Sequence, residues 1–368
     1  MRIALVNGWY LFSGGMEAVD DVIGAIFPSA DVFTLFYDPT RVPPHLQGRP
    51  IQCSFLQSVA TRKTYRLLMP LYPYAIESLD LRGYDLVITS CTSVAKGVIC
   101  DQESTHLCYC HTPWRQLYDL YSKSLAIVPL PLRPAYALTC SRLRQWDFVA
   151  AQRVDHFVAN SQHIQQRIRH CYRRVSTLIY PPVNTGNGYL ADHHDDYYLS
   201  VGRLTHTKRL DLLINACNKL GRRLLIAGEG REETRLKAIA GPTVEFLGRV
   251  SDANLSTLYA NSRAFLFAAD EDFGIVAVEA QSYGRPVIAY AHGGSLETIR
   301  VDDATGRSDT GVFFAEQTVD SAVGAILRFE VREGTFVPRD VQQHAQQFDV
   351  VVFAEKLRTF VSHIMENK

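Results

Sequence analysis

The feature that most constrains this chain is a repeated alternation of short apolar runs with longer helical segments. The first series of runs comprises residues 2–6, 31–36, 51–55, 85–89, 107–109 and 156–159. The second series comprises residues 197–201, 223–227, 244–246, 264–268, 286–289 and 312–314. Strands that alternate with crossover helices form parallel sheets with helices on both faces. The sequence therefore predicts an α/β protein with two Rossmann-like, doubly wound lobes.

A break in this pattern separates the two series. Residues 180–196 are dense in Pro, Gly, Asn and Asp, which interrupt regular structure. We therefore predict a first lobe over residues 1–182 and a second lobe over residues 183–348. The final segment, residues 349–368, has the apolar spacing of a helix, which we expect to cross back to the first lobe.

Composition excludes several classes of protein. Hydrophobic residues make up 47% of the chain and the formal net charge is zero, which excludes a disordered chain and a strongly basic nucleic-acid binder. The first residues lack the apolar core of a signal peptide, and no apolar run reaches about 18 residues. We expect a cytoplasmic protein that is at most peripheral at the inner face of a membrane.

One segment of the first lobe combines basic and aromatic residues. Its members are Arg62, Lys63, Tyr65, Arg66, Tyr72 and Tyr74. Such a mixture suits contact with an anionic membrane surface. An ordinary exposed helix is the alternative interpretation.

Ligands of doubly wound sheets bind in the loops that follow the strands. The first such loop, residues 13–17, contains Gly14 and Gly15 ahead of a helix predicted over residues 18–26. Paired glycines let the backbone approach a ligand closely, and a helix N-terminus favours an anion. The alternative is a simple turn. The loop is not the G-x-G-x-x-G of nicotinamide dehydrogenases.

A basic loop follows the first predicted strand of the second lobe. Gly202 is followed by Arg203 and, five residues later, by Lys208. A guanidinium fork and an ammonium point charge can converge on one diphosphate. A solvated basic loop is the alternative.

A third loop combines a glycine with two carboxylates. Glu271 follows a predicted strand, Gly274 precedes a helix predicted over residues 275–283, and Glu279 lies inside that helix. The helix N-terminus suits a phosphate, whereas carboxylates accept hydrogen bonds from sugar hydroxyls. Alternatively, Glu271 caps the helix and Glu279 is a surface charge.

Together these motifs resemble the retaining glycosyltransferases of family 4, whose GT-B fold has two Rossmann-like lobes facing each other across a cleft. The resemblance covers the second lobe through E-x₇-E at Glu271 and Glu279 and V-G-R-L-x₃-K from Val201 to Lys208. In the first lobe it is thinner and rests on Gly14-Gly15, His111-Thr112-Pro113 and Asn160-Ser161. The stretch from Tyr109 to Arg115, with Tyr118 and Asp119 following, is similar to bacterial mannosyltransferases and related enzymes that make lipopolysaccharide or exopolysaccharide.

The resemblance implies specific roles for the matching residues. Arg203 and Lys208 would bind the donor diphosphate, Glu271 the sugar hydroxyls and Glu279 the ribose. The complete donor-binding set would be Gly14, Gly15, Gly202, Arg203, Lys208, Gly228, Arg249, Val250, Glu271, Phe273, Gly274, Ile275 and Glu279. The catalytic set would be Glu271, Arg203, Lys208 and His111, with His111 contacting the transferred sugar. The acceptor would contact Trp114, Arg115 and Tyr118.

No cofactor and no metal are expected beside the nucleotide-sugar co-substrate. Asp270 and Asp272 flank Glu271 in a D-x-D spacing after a predicted strand, but we assign no metal to them, and we interpret the adjacent pair Asp302 and Asp303 as solvated. Cys108, Cys110 and His111 have no second pair of cysteines at short spacing to complete a zinc site.

The resemblance also indicates the substrates. UDP-glucose or another UDP-hexose is the first choice of donor, with GDP-mannose a close second. The acceptor would be a saccharide or a lipid-linked saccharide in bacterial surface polysaccharide synthesis. Two alternatives are a non-catalytic nucleotide-sugar-binding protein and another two-lobed enzyme, such as a sugar phosphorylase. Nucleic acid is not an expected partner.

Overall fold

The computed structural model describes residues 1–12, 14–301 and 309–368, so Ser13, Asp302 and Asp303 lie outside the described residues. The chain divides into two compact units, Met1–Pro182 with Phe353–Lys368, and Val183–Val352. Each unit contains one parallel sheet covered by helices. The predicted fold class, an α/β protein with two Rossmann-like domains, is confirmed.

The first domain is built on a parallel sheet with the strand order β3-β2-β1-β4-β5-β6-β7. Its strands are β1 (Ile3–Tyr10), β2 (Asp31–Tyr37), β3 (Ile51–Cys53), β4 (Leu86–Cys91), β5 (Thr105–Cys110), β6 (His156–Ala159) and β7 (Thr177–Leu178). Its helices are α1 (Gly15–Ile26), α2 (Tyr72–Glu77), α3 (Tyr121–Ile127), α4 (Arg133–Gln152) and α5 (Gln162–Tyr172).

The second domain repeats this arrangement with the strand order β10-β9-β8-β11-β12-β13. Its strands are β8 (Tyr198–Val201), β9 (Leu224–Ala227), β10 (Val244–Gly248), β11 (Ala264–Phe267), β12 (Val287–Tyr290) and β13 (Gly311–Phe314). Its helices are α6 (Leu210–Leu220), α7 (Glu233–Ile239), α8 (Asp252–Asn261), α9 (Ile275–Ser282), α10 (Ser295–Thr298), α11 (Val319–Arg332) and α12 (Pro338–Ala345).

The last helix, α13 (Val350–Glu366), contributes to the core of the first domain. Four buried residues at helical spacing form its apolar face: Phe353, Leu357, Val361 and Ile364. The ring of Phe353 packs edge-on against Tyr109 of β5, with ring centroids 5.7 Å apart. This helix therefore covers one face of the first sheet, together with α1.

All twelve predicted strands are present, with ends that shift by a few residues. Central strands such as β4 are buried along their whole length, and such strands read as continuous apolar runs in the sequence. The sequence analysis missed β7, which has only two residues and pairs at the edge of the sheet.

The basic and aromatic segment of the first domain is exposed in most of its members, with Tyr72 as the buried exception, and its contact with a membrane stays a prediction. Tyr72 is buried, and its hydroxyl donates to the carbonyl of Tyr65 over 2.5 Å. Arg62 forms an ion pair with Asp38 over 3.0 Å. Tyr72 is therefore a core residue, because its ring packs among Trp9, Phe36 and Trp114. In the described part of the chain, no helix is long and apolar enough to cross a bilayer.

Candidate active site

Both sheets have a topological switch point, which is where ligands bind in open parallel sheets. In the second domain the strand order reverses between β8 and β11. The basic loop, with Arg203 and Lys208, follows β8. The loop with Glu271 and Gly274, called the acidic loop from here on, follows β11, so the two predicted loops lie on either side of this point. Lys208 and Glu271 are 63 residues apart in the sequence, and the neighbouring strands of the sheet bring their loops together.

Lys208 and Glu271 are in direct contact at this point. The Lys208 ammonium donates a hydrogen bond to Glu271 Oε1, and both side chains are largely buried, at 21% and 27% exposure. Burial, together with the positive charge of the neighbouring Arg203 guanidinium, lowers the pKa of Lys208 to about 8. The Glu271 carboxylate acts in the opposite direction, because an adjacent negative charge stabilises the ammonium.

Glycines allow the loops of β8 and β9 to pack backbone against backbone. A Cβ on Gly228 would lie 1.9 Å from the carbonyl oxygen of Gly202, and Gly228 has a φ of +139° that other residues rarely adopt. A Cβ on Gly230 would lie 2.3 Å from the carbonyl oxygen of Leu204. The positions of Gly202 and Arg203 therefore depend on the absence of side chains in the neighbouring loop.

The acidic loop is held from the other side by the loop that follows β12. The Gly294 amide donates to the Glu271 carbonyl over 2.8 Å, and a Cβ on Gly293 would lie 2.4 Å from the same oxygen. His292 and Asp270 form a hydrogen bond of 2.8 Å between their side chains. Phe273 packs against Phe348 with ring centroids 5.4 Å apart. The backbone of the acidic loop is thus fixed on both sides.

Helix α9 begins beside these groups, at Ile275. Gly274 precedes it in a left-handed conformation, with φ +91°, and supplies no side chain to cap the first turn. The amides of that turn are the groups that bind anions at helix starts. Glu279 lies one turn further on and accepts a hydrogen bond of 2.9 Å from Tyr259. Burial raises the pKa of Glu279.

The other predicted donor residues of the second domain lie at the same edge of the sheet. Arg203 is exposed in the loop after β8, and Arg249 and Val250 directly follow β10. Gly248 ends β10, and its carbonyl accepts a hydrogen bond of 2.7 Å from the Gly228 amide. The predicted donor set of this domain is therefore gathered at one edge.

His111 is the predicted catalytic residue of the first domain, and it directly follows β5. Its ring is buried and shares a hydrogen bond of 2.9 Å with the hydroxyl of Ser90, which lies in β4. Burial lowers the pKa of His111 to about 3, so the ring is neutral at physiological pH. Its contact to a sugar stays a prediction.

Asp20 of α1 extends this polar cluster, and the sequence analysis missed it. Its carboxyl is buried, accepts a hydrogen bond from Asn7 and lies beside the hydroxyls of Ser90 and Tyr10. Burial raises the pKa of Asp20 to about 7, although those polar neighbours oppose the shift. A buried acid was not visible in the sequence, because Asp20 lies in a helix next to a second aspartate.

Gly14 and Gly15 stand at the start of α1, as predicted, with Gly14 in an extended conformation, φ 179°. The predicted acceptor residues Trp114 and Arg115 line one groove of the first domain. Tyr118 instead donates a hydrogen bond of 3.1 Å to Asp147, whose carboxylate forms a buried ion pair with Lys96. The roles of these residues stay predictions.

The geometry of the second domain agrees with the comparison to known families. Residues 187–347 match the model of the family described as glycosyl transferases group 1. Among curated proteins, α-1,3/1,6-mannosyltransferase ALG2 of Candida glabrata is 24% identical over 252 residues, 52% of this chain and 52% of that protein. D-inositol 3-phosphate glycosyltransferase of Mycobacteroides abscessus is 32% identical over 169 residues, 43% of this chain and 37% of that protein.

Solved structures extend the likeness across both domains. The Anabaena protein Alr3699/HepE, solved in complex with UDP, has a TM-score of 0.71 at 17% identity and covers 99% of this chain and 100% of its own. This likeness shows the fold. The chain spans about half the length of ALG2, 52%, and 37% of the length of the D-inositol 3-phosphate glycosyltransferase. The family model covers most of the second domain. The chain has a GT-B fold, and its residues 187–347 match the glycosyl transferases group 1 model.

Proposed function

We propose that the protein is a retaining glycosyltransferase that transfers a hexose from a nucleotide diphosphate sugar to a saccharide or lipid-linked acceptor. The observation that carries this proposal is the contact between Lys208 and Glu271 at the switch point of the second sheet. Arg203 and the start of α9 belong to the same edge. A cation, a helix N-terminus and a carboxylate together suit a sugar diphosphate.

The chemical task of such an enzyme is to stabilise the leaving group. Negative charge grows on the diphosphate as the bond to the sugar breaks. Lys208, Arg203 and the first amides of α9 supply positive charge and hydrogen-bond donors for it. One donor of this kind contributes about 3–4 kcal/mol to the transition state in well-studied enzymes. No metal and no other cofactor are part of this proposal.

The ion pair between Lys208 and Glu271 gives this mechanism a resting state. Without donor, each side chain neutralises the other in a largely buried position. A bound diphosphate competes for the ammonium, which frees Glu271 to accept hydrogen bonds from hydroxyls of the sugar. We propose that this exchange of partners couples diphosphate binding to orientation of the hexose.

A uridine nucleotide is the first choice of donor base. In support, Alr3699/HepE was solved with UDP and with UDP-glucose. GDP-mannose is second, and the name of the mannosyltransferase ALG2 favours the same sugar. We further propose a role in the synthesis of bacterial surface polysaccharide at the inner face of the membrane.

Thermal unfolding with UDP, GDP and ADP, followed by their sugars, tests the donor. A ligand at 100 times its Kd adds about 2.7 kcal/mol to the stability of the native state. We expect UDP and UDP-glucose to raise the Tm and ADP to leave it unchanged. A rise in Tm with GDP alone would make a GDP-sugar the donor instead of a UDP-sugar. If no nucleotide raised the Tm, the proposal would be contradicted.

Glu271→Ala distinguishes an enzyme from a binding protein. We expect the variant to bind UDP while it transfers radiolabelled glucose from UDP-glucose at least a hundredfold more slowly into saccharide or lipid fractions. If the native protein bound UDP-glucose but neither transferred the hexose nor released it slowly to water, the non-catalytic binding protein would be favoured. Release that requires inorganic phosphate would favour a phosphorylase.

Retention is tested on the hexose that the native enzyme releases slowly to water. Proton NMR at early times separates the two anomers before they equilibrate. We expect the first anomer to have the configuration that the hexose has in the donor. The opposite anomer would contradict retention and leave the donor assignment unaffected.

A further inference from the structure

A large groove is lined by residues of the first domain. It encloses about 520 Å³. Its aromatic floor consists of Trp9, Tyr65, Tyr72 and Trp114, whose rings pack at centroid distances of 5.7–6.4 Å. All of its described lining residues lie between Trp9 and Tyr136. The groove is therefore a binding feature of the first domain alone.

The inner end of the groove coincides with the switch point of the first sheet. The strand order reverses between β1 and β4. Trp9 lies near the end of β1, Thr92 directly follows β4, and Thr112 follows β5. By the rule for open parallel sheets, this is where the first domain should bind a ligand. The groove thus runs from the expected reaction edge to the surface.

The outer part of the groove is aliphatic. Met69, Leu120, Ile127 and Val128 line it. Ile127 is 84% exposed, and Leu130, three residues further along the chain, is 73% exposed. Bulky side chains left in water beside an apolar groove indicate a surface that is covered by another apolar molecule.

The charges of the groove indicate the kind of molecule. Arg66 and Arg115 line it, and Arg115 also pairs with Asp119 over 3.0 Å, whereas no Asp or Glu belongs to its described lining. Thr92, Thr112 and Gln116 can accept hydrogen bonds from saccharide hydroxyls, but the described lining has none of the carboxylates, which accept most strongly. A chain of hydrocarbon that ends in a phosphate matches both the aliphatic wall and the two guanidinium groups.

We infer that this groove binds the prenyl or acyl chain of a lipid-linked acceptor, with its phosphate near the two arginines. The inference rests on the proposed function in one respect, since that function makes the occupant an acceptor. It selects the lipid-linked class from the two classes of acceptor named above. It also gives Trp114 and Arg115 a shared role in holding the lipid portion.

Equilibrium dialysis of the full chain against radiolabelled farnesyl phosphate, below its aggregation concentration, tests the inference. We expect saturable binding that neither inorganic phosphate nor maltose displaces. Two of the three tryptophans line the groove, so intrinsic fluorescence should change with the same midpoint. Absence of saturable binding, or displacement by maltose, would overturn the inference.

Variants locate the bound lipid. Ile127→Glu places a charge at an exposed position of the groove and should weaken binding at least tenfold. Ser124→Trp should do the same by filling the groove. Val175→Glu is the matched control, because Val175 is 86% exposed in the same domain and does not line the groove. Unchanged affinity in both groove variants would overturn the inference.

The second domain provides the check on folding and on the proposed function. Both groove variants should bind UDP as the native chain does. If the native chain bound farnesyl phosphate but no nucleotide, the proposed function would fail while the lipid site stood. If it bound UDP but no farnesyl phosphate, the groove assignment alone would fail.

Discussion

The two domains share one sheet topology, yet the side chains at the two edges where we propose ligand binding differ in kind: charged in the second domain, mainly aromatic in the first. At the switch point of the second domain, a lysine, a glutamate and closely packed glycine loops surround a helix N-terminus. At that of the first domain, aromatic rings form a groove, and a buried histidine and aspartate lie nearby. The fold places both sites, but only the loops decide what each can bind.

The two domains also differ in how far their lysine–carboxylate ion pairs are exposed to solvent. Lys208 and Glu271 keep partial access to solvent, so a ligand can displace one partner of the pair. Lys96 and Asp147 in the first domain are almost completely buried, and the phenol of Tyr118 completes the cluster. We therefore propose that a ligand exchanges with the ion pair of the second domain, whereas that of the first is structural.

The largest expected effect comes from removing the cation at the second switch point. Lys208→Ala should lower kcat by roughly 10²–10³, because a donor aimed at the leaving group is lost. The matched control is Lys219→Ala, which removes an exposed lysine paired with Asp320 in the same domain. Steady-state transfer from UDP-glucose measures both variants. Equal loss in the two variants would show that the effect is not specific to the pair at the switch point.

The next effect concerns the buried carboxyl of the first domain. The native Asp20 holds its proton to about pH 7, whereas an unfolded aspartate loses it near pH 4. The native state binds more protons in this window, so stability should fall as pH rises through it. Asp20→Asn should abolish this component, which amounts to at most about 3 kcal/mol between pH 5 and 7.

Urea unfolding of the native protein and of Asp20→Asn across pH 5–7 measures this difference. The neutral buried histidines His106 and His111 contribute an opposite trend, because burial lowers the pKa of each. That trend is common to both proteins and cancels in their difference. A difference independent of pH would mean that Asp20 is ionised in the native state.

A backbone substitution probes the glycine loops. Gly228→Ala would place a Cβ 1.9 Å from the Gly202 carbonyl and should destabilise the protein by about 1–3 kcal/mol while weakening UDP binding. Gly334→Ala is the control, since a Cβ there meets nothing within 4 Å. Thermal unfolding and UDP titration check both. Full UDP affinity in Gly228→Ala would show that the loop geometry does not serve the nucleotide.

The smallest effect is the pH dependence of UDP binding. With the pKa of Lys208 near 8, affinity should fall above pH 8, by up to about tenfold per pH unit. Lys208→Arg stays charged and should lose most of this dependence. Ionisation of the nucleotide itself affects both proteins equally. Parallel pH profiles of Kd for the two proteins would contradict a role for the ammonium.

The sequence predicted the strands and the donor loops because both leave local signals. Buried strands produce apolar runs, and Gly202, Arg203 and Glu271 stand directly in loops after such runs. It did not predict the contact of Lys208 with Glu271, which depends on β8 and β11 being neighbours. Nor could it show that Tyr72 is buried, since tyrosine occurs both in cores and on surfaces.

The site in the first domain was harder to predict for the same physical reason. The groove is assembled from residues between Trp9 and Tyr136 that no single motif connects. Asp20, Ser90 and His111 come from a helix, a strand and a loop, and only the packing of α1 against the sheet joins them. Local patterns reveal elements, whereas sites that depend on several distant segments need the tertiary structure.

Calorimetric titration of UDP and of uridine into the native protein and into Lys208→Ala shows whether Lys208 binds the diphosphate. We expect the native protein to bind UDP far more tightly than uridine, and the variant to lose most of this preference while its weak affinity for uridine persists. If Lys208→Ala retained the full preference for UDP, the ammonium would not be a diphosphate ligand and the proposed site would be wrong.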